Sequence, residues 1–385
     1  MSTSSSQNHH YWMAKAIQLA HKGRYTTHPN PRVGCVLVKE GNLIAEGYHK
    51  VAGEGHAEVN AIANATEDTQ GSTAYVTLEP CSHQGKTGPC AKALIAAKIT
   101  TLVYGMQDPN PEVAGRGLAM LEKAGIKVIG PVMEAESHAL NPGFIKRMTE
   151  GLPYVRLKLA MSLDGRTAME SGESQWITGP DARLDVQKLR AQSDAIVTGI
   201  GSIMADDPSM TVRIDNENRP VKSKTVRQPK RIIMDTALSI PPESKILYPT
   251  HEVQIFCLEA LAEADHHKAL TKKGIDVIYT ESAEEGGIDL VAAMETLADQ
   301  GINEVLVETG AVLAGSFLQE GLVDEVVVYM APKLLGSNAR PLMQLPLASM
   351  SEAVDLELLN MRQIGADIRL TFKPCYEDFE DGVED

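Results

Sequence analysis

Apolar residues fall into two rhythms along this chain. One repeats every three to four positions, and the other runs as short blocks rich in β-branched residues. Tyr11 to His21, His56 to Ala65, Cys90 to Lys98 and Leu118 to Lys123 follow the helical rhythm. Arg32 to Val38 and Leu43 to Tyr48 are apolar blocks separated by Lys39-Glu40-Gly41-Asn42, which predicts a hairpin. Thr73 to Leu78, Thr101 to Met106 and Lys127 to Ile129 are further strands, so the first 150 residues alternate as in an α/β layer fold. Turn formers then cluster, and Asn141-Pro142-Gly143 and Gly151-Leu152-Pro153 predict a boundary between Asn141 and Pro153. The alternation restarts with strands over Tyr154–Ala160, Ala195–Thr198, Arg231–Asp235, Val253–Cys257, Glu304–Val307, Glu325–Met330 and Asp367–Phe372. Helices fit Asp181–Arg190, Leu290–Leu297 and Val312–Gln319. The Ser-rich residues 1–10 read as a frayed end, and the last eleven residues, with six acids, as a solvated tail. The pattern predicts domains over 8–148 and 153–374 and a tail over 375–385.

Composition narrows the class. A chain of 385 residues with 43 % apolar and 23 % charged positions is globular and long enough for two domains. Its five cysteines, an odd number spread widely, exclude a disulfide scaffold and fit a reducing compartment. No apolar run reaches the length of a membrane span, and the polar start has no signal core, so a cytoplasmic location is expected. The net charge of −15 argues against nucleic acid as a partner, since such binding needs a surplus of Lys and Arg. Small-molecule substrates and a homo-oligomer are the expectation.

The sharpest chemical signal is His56-Ala57-Glu58 followed by Pro80-Cys81 and Cys90. One imidazole and two thiolates give zinc three protein ligands and leave the fourth position to water, which is the catalytic pattern. Glu58 stands two residues from the ligand His56, placed to move the water's proton. His56 and Cys90 each open a predicted helix, whose positive end favours thiolate. Zinc deaminases carry H-x-E and then P-C-x-x-C, but here eight residues separate the cysteines. The intervening loop, Ser82 to Pro89, could reach over a substrate. His83 could serve as a fourth ligand in a purely structural site, and Cys35 reads as core. Asn30 could offer its amide to a heterocycle edge, and Lys86 could meet a phosphate, although both fit bland turn and loop roles.

The second half lacks a standard nucleotide fingerprint. Gly199-Ile200-Gly201 follows a strand, but Met204 stands where a third small residue is required. Gly310 to Gly315 has phosphate-loop spacing without the lysine, although it follows a strand and opens a helix, where backbone N–H groups can hold a phosphate. Tyr154 and Lys158 have the spacing of a dehydrogenase pair but lie on a predicted strand, which separates them. A dense polar stretch, Ser171 to Arg213, remains, in which Arg190 and Arg213 could clamp a phosphate.

Over nearly its whole length the chain resembles the bifunctional riboflavin-biosynthesis deaminase–reductase family. The match runs through Asn30-Pro31-Arg32-Val33-Gly34-Cys35, His56-Ala57-Glu58, Glu79-Pro80-Cys81-Ser82-His83 and Gly88-Pro89-Cys90. It continues through Lys158-Leu159-Ala160, Ser162-Leu163-Asp164-Gly165-Arg166, Ser171 to Gly179, Ser193-Asp194-Ala195-Ile196 and Ala205-Asp206-Asp207-Pro208. The resemblance implies an N-terminal cytidine-deaminase-like three-layer domain and a dihydrofolate-reductase-like α/β domain, with Zn2+ and NADPH as cofactors. It implies hydrolytic deamination of 2,5-diamino-6-(5-phosphoribosylamino)pyrimidin-4-one, then NADPH-dependent reduction of the ribosyl side chain to ribityl. By position, His56, Cys81 and Cys90 would hold zinc, Glu58 would move the proton, and Asn30, His49 and Lys86 would contact the deaminase substrate. Ala160, Trp176, Ser202, Asp206, Thr236 and Gly310, Ala311, Val312, Leu313, Ala314, Gly315 and Ser316 would line the NADPH site. Ser174, Arg190, Met210, Arg213 and Glu308 would hold the sugar phosphate. Lys158, Asp206 and Glu308 are the candidates for the reductase proton, with no choice among them.

Overall fold

The computed structural model describes residues 3–83, 88–111, 113–214, 227–261, 264–283 and 286–376. The chain divides into two units, Met1–Leu152 and Pro153–Asp385. The first runs α1 (Thr3–Ala20), β1 (Gly34–Lys39), β2 (Asn42–Tyr48), α2 (Ala57–Ala63), β3 (Thr73–Val76), α3 (Cys90–Ala96), β4 (Thr101–Tyr104), α4 (Arg116–Lys123), β5 (Lys127–Ile129), α5 (Glu134–His138) and α6 (Pro142–Glu150). Its sheet has the order β2-β1-β3-β4-β5. β1 is antiparallel to both neighbours, and β3, β4 and β5 are parallel.

Alternation along β1 builds three layers. Cys35 and Leu37 pack with Ala57, Ala61, Ala91 and Leu94 of α2 and α3. Val36 and Val38 point the other way, into a cluster with Met13, Ala16 and Ile17 of α1. Two glycines let these layers close. A Cβ on Gly34 would lie 1.9 Å from the Ala16 carbonyl, and one on Gly47 would lie 2.3 Å from the Ala57 carbonyl.

One expectation fails here, and the boundary segment, where the two units do divide, holds a helix that was not expected. The polar start is helical from Thr3, and His9 Nδ1 lies 3.0 Å from the Tyr75 hydroxyl, so a tertiary contact holds what propensity alone would leave frayed. The turn formers around the boundary are the caps of α6: Pro142 sits in its first turn, and Gly151 ends it in the left-handed region at φ 73°.

The second unit runs β6 (Tyr154–Ser162), β7 (Arg166–Ala168), α7 (Pro180–Gln192), β8 (Ala195–Gly199), α8 (Ile200–Asp206), β9 (Lys230–Met234), β10 (Val253–Leu258), α9 (Ala264–Lys272), β11 (Asp276–Thr280), α10 (Leu290–Asp299), β12 (Glu304–Val307), α11 (Ala311–Gln319), β13 (Glu325–Ala331), β14 (Arg340–Pro341), β15 (Asp355–Ile364) and β16 (Asp367–Cys375). The order of its nine-stranded sheet is β11-β10-β9-β8-β12-β6-β13-β16-β15. The strands from β11 to β13 are parallel, and β16 and β15 close one edge antiparallel. Ile196, Ile233, Ile255 and Leu306 share one core cluster with Val186 and Leu189 of α7. The alternate residues Val197, Ile232, Phe256 and Val307 are buried too, so both faces are covered, as parallel strands require. β14 and β7 form a separate two-stranded ribbon. The expected tail begins too early, because Cys375 ends β16 and the Tyr376 hydroxyl donates to the Val323 carbonyl. Residues 377–385 lie outside the described residues. Among the described residues, no helix is long and apolar enough to cross a membrane.

Candidate functional site

In the first unit, two helix starts and one strand-following turn converge. His56 is the N-cap of α2, Cys90 is the first residue of α3, and Cys81 follows β3. His56 Nδ1 lies 3.7 Å from Cys81 Sγ and 3.3 Å from Cys90 Sγ. All three ligand atoms fall within 4.8 Å of one another. Tetrahedral zinc with ordinary Zn–S and Zn–N bonds places nitrogen and sulfur about 3.6 Å apart, so the donor set fits that ion. The Cys90 backbone N–H donates to Cys81 Sγ at 3.3 Å. The Cys90 thiol beside it, with the His56 imidazole, pulls Cys81 down to about 4, and Cys90 is pushed upward in turn. His83 is exposed and does not join the cluster among the described residues, so the four-ligand structural reading finds no support there.

Glu58 lies in the first turn of α2 and is buried. Burial raises its carboxyl to about 7, and its side chain bonds to Cys90. Cys35, fully buried, is core as expected. Asn30 Nδ2 donates to His49 Nε2 at 3.1 Å, and His49 Nδ1 donates to the Gly55 carbonyl at 3.2 Å. Burial lowers the His49 pKa, so this imidazole stays neutral. Its ring centroid is 5.2 Å from that of His56, which places Asn30 and His49 beside the ligand cluster. Lys86 lies outside the described residues.

Glu79 stands in the matched motif, but the sequence assigned it no role. It is buried, and its carboxylate accepts the backbone N–H groups of Asp108 (3.3 Å), Gly115 (2.9 Å), Gly117 (2.8 Å) and Leu118 (3.4 Å). It thereby ties the segment before and into α4 to the turn that carries Cys81. No local signal announces this, because its partners lie some thirty to forty residues away.

In the second unit a cavity of about 1210 Å³ opens at the C-terminal ends of β8, β9 and β12. Ser202, Asp206, Thr236, Gly310, Ala311, Val312, Leu313 and Ser316 of the expected cofactor set line it, and so does Ser174, expected to hold the sugar phosphate. Ala160, Trp176, Ala314 and Gly315 do not. Gly315 has another reason to be glycine: a Cβ there would sit 1.9 Å from the Gln344 carbonyl. Trp176 is 62 % exposed, with the Arg183 guanidinium 4.5 Å over its ring. Gly201, Gly286 and Gly287 also line the cavity, with open space where a Cβ would stand. An extended dinucleotide fits such a smooth floor beside the start of α11.

Beside the cavity, next to its lining residue Thr309, Glu308 is buried between two cations. Arg190 grips it through Nε (2.5 Å) and Nη2 (3.1 Å), and Lys158 Nζ is 3.6 Å away. Burial alone would raise the Glu308 carboxyl, but Arg190 and Lys158 hold it at about 2. Burial lowers the Lys158 pKa. The bidentate phosphate clamp expected of Arg190 with Arg213 is not formed. The Arg190 fork is closed on Glu308, its Nη1 donates to the Thr211 carbonyl at 3.2 Å, and Arg213 is exposed. Met210 is buried with φ 49°, its Sδ 3.4 Å from Arg190 Nη2. Tyr154 and Lys158 do lie on a strand, β6.

The likeness to known proteins follows this division. Residues 6–106 match the model of the cytidine and deoxycytidylate deaminase zinc-binding region, and residues 153–370 match that of the RibD C-terminal domain. The riboflavin biosynthesis protein RibD of Escherichia coli is 50 % identical over 367 residues, covering 94 % of this chain and 98 % of that one. The RibD of Haemophilus influenzae is 47 % identical, covering 94 % and 96 %. A solved structure of Acinetobacter baumannii RibD superposes with a TM-score of 0.88 at 45 % identity, covering 96 % of this chain and all of that one. A Thermotoga maritima structure, described as a diaminohydroxyphosphoribosylaminopyrimidine deaminase/5-amino-6-(5-phosphoribosylamino)uracil reductase, gives 0.83 at 31 % identity, covering 96 % and 100 %. With a zinc-deaminase donor set in one unit, a dinucleotide-sized cavity in the other and such relatives spanning both, the chain belongs to the RibD family of riboflavin biosynthesis proteins.

Proposed function

We propose that the chain catalyses two consecutive steps of riboflavin biosynthesis, a hydrolytic deamination in the first unit and an NADPH-dependent reduction in the second. The observation that carries the first step is the convergence of His56, Cys81 and Cys90 with Glu58 on the same helix turn. These three residues would hold zinc, whose chemistry is to make water acidic enough to attack at neutral pH. Glu58, buried and raised to about 7, would take a proton from the attacking water and pass it to the departing 2-amino group. Asn30 and neutral His49 bind the pyrimidine edge of 2,5-diamino-6-(5-phosphoribosylamino)pyrimidin-4-one, and Lys86 meets its phosphate.

In the second unit the substrate is 5-amino-6-(5-phosphoribosylamino)uracil, whose ribosyl ring opens to an imine and is reduced at C1′ to ribityl. NADPH supplies the hydride when bound. Ser202, Asp206, Thr236, Gly310, Ala311, Val312, Leu313 and Ser316 would orient the cofactor. Ser174, Met210 and Arg213 would contact the sugar phosphate, and Arg190 would orient Glu308 beside it. Lys158, Asp206 and Glu308 are the candidates to move the proton, and Glu308 is buried away from bulk water. The reading assigns 8–148 to the deaminase and 153–374 to the reductase. It includes a cytoplasmic homo-oligomer with no nucleic-acid partner, in keeping with the net charge of −15.

A coupled assay on the diaminopyrimidine phosphate tests it. Ammonia should appear without NADPH, and NADPH oxidation should follow only after ammonia release. NADPH oxidation that precedes any ammonia would contradict the order.

A further inference from the structure

We propose that Arg340 binds the diphosphate of the nicotinamide dinucleotide against the start of α11, an assignment that rests on the reductase reading above. Among the described residues that line the cavity, Arg340 carries the one positive charge, against the carboxylates of Asp206 and Glu320. Its guanidinium makes no ion pair or side-chain hydrogen bond to another described residue, unlike Arg190, whose donors are spent inside the protein. A free fork of five donors at the wall of an anion-sized cavity is suited to two adjacent phosphates.

The fold fixes where that fork stands. Arg340 is in β14 and pairs with Ala168 of β7. Thr167 Oγ1 donates to the Pro341 carbonyl at 3.2 Å, and Arg166 Nη1 donates to the Ala339 carbonyl at 3.2 Å. Four residues on, the Gln344 N–H donates to the Ala311 carbonyl at 3.0 Å, so the chain that bears Arg340 is pinned to the first residue of α11. Gly315 permits this close approach. The guanidinium lies against Gly172, where a Cβ would stand 3.1 Å from Nη2, and Gly172 has φ 95°. A side chain at 172 is thus disfavoured twice, and the space it would fill belongs to Arg340. The N–H groups of Ala311, Val312 and Leu313 have no partner within the helix and amount to about half a positive charge. Arg340 adds a full charge on the wall of the same cavity, so the diphosphate, with about two negative charges, is the cofactor group that both together would match.

Calorimetric titration of NADPH and of NADH, each into wild type, Arg340→Ala and Arg340→Lys, tests this. The diphosphate is common to both dinucleotides. The alanine variant should weaken both by a similar factor, on the order of 10- to 100-fold, and lysine, which keeps charge but not the fork, should recover part of it. Ammonia release by the same samples should be unchanged, since Arg340 belongs to the other unit. Wild-type affinity in the alanine variant overturns the proposal. So does a loss confined to NADPH, which would move Arg340 to the 2′-phosphate. Wild type that binds neither dinucleotide would instead overturn the reductase reading itself.

Discussion

Glu308 is a carboxylate kept ionised against its burial by Arg190 and Lys158. Its value of about 2 lies below the ordinary 4.5, so its ionised form stabilises the fold fully above pH 4.5, and that contribution fades as pH falls toward 2. Removing the charge costs about 3 kcal/mol near neutral pH, because buried Arg190 and half-buried Lys158 lose their partner. Urea unfolding of wild type and Glu308→Gln should show that gap above pH 5 and a narrowing gap below 4.5, whereas a gap independent of pH would contradict the pairing. Arg190→Ala should weaken binding of the reductase substrate roughly tenfold or more and leave ammonia release intact, because the fork it removes orients Glu308. Equal loss of both activities would argue against this placement. The zinc donors were legible in the sequence because ligand spacing is local chemistry: an imidazole two residues from a carboxylate, and cysteines at a strand end and a helix start. Glu79 and Arg340 were not, since their roles come from pairings with residues far along the chain.

Helix α2 places the His56 ligand, and β2 places α2. Gly47 is the hinge of that arrangement, since any Cβ there meets the Ala57 carbonyl and the Ala61 nitrogen at 2.3 Å. Gly47→Ala should push the helix outward, costing about 1–3 kcal/mol as overpacked sites do. Zinc per chain should fall, and NADPH binding should hold. Metal analysis and calorimetry on one preparation check both, and full zinc content in a folded variant would show that α2 can shift without moving its ligand. Most elements followed from apolar rhythm. α6 was hidden because its caps, Pro142 and Gly151, are also the signature of a loop. β15 was hidden because nine of its ten residues are exposed, so no burial alternation marks it.

At the scale of the whole chain, the two units carry separate cores and separate sites. Metal removal should therefore act on one of them. Dialysis against a chelator should abolish ammonia release and lower the unfolding temperature of the first unit, because ligand binding stabilises only the state that binds. Reduction of supplied 5-amino-6-(5-phosphoribosylamino)uracil should continue at its former rate. Parallel loss of both rates would mean that the reductase unit also depends on the metal.

The most direct measurement uses Glu58→Gln, which removes the proton-moving carboxylate and leaves His56, Cys81 and Cys90 in place. Offered the diaminopyrimidine phosphate with NADPH, this variant should release ammonia on the order of 100- to 10,000-fold more slowly and oxidise almost no NADPH. Offered the deaminated uracil, it should oxidise NADPH at the wild-type rate. Unimpaired ammonia release, or NADPH oxidation with the undeaminated compound, would contradict a deaminase centred on Glu58 that feeds a reductase downstream.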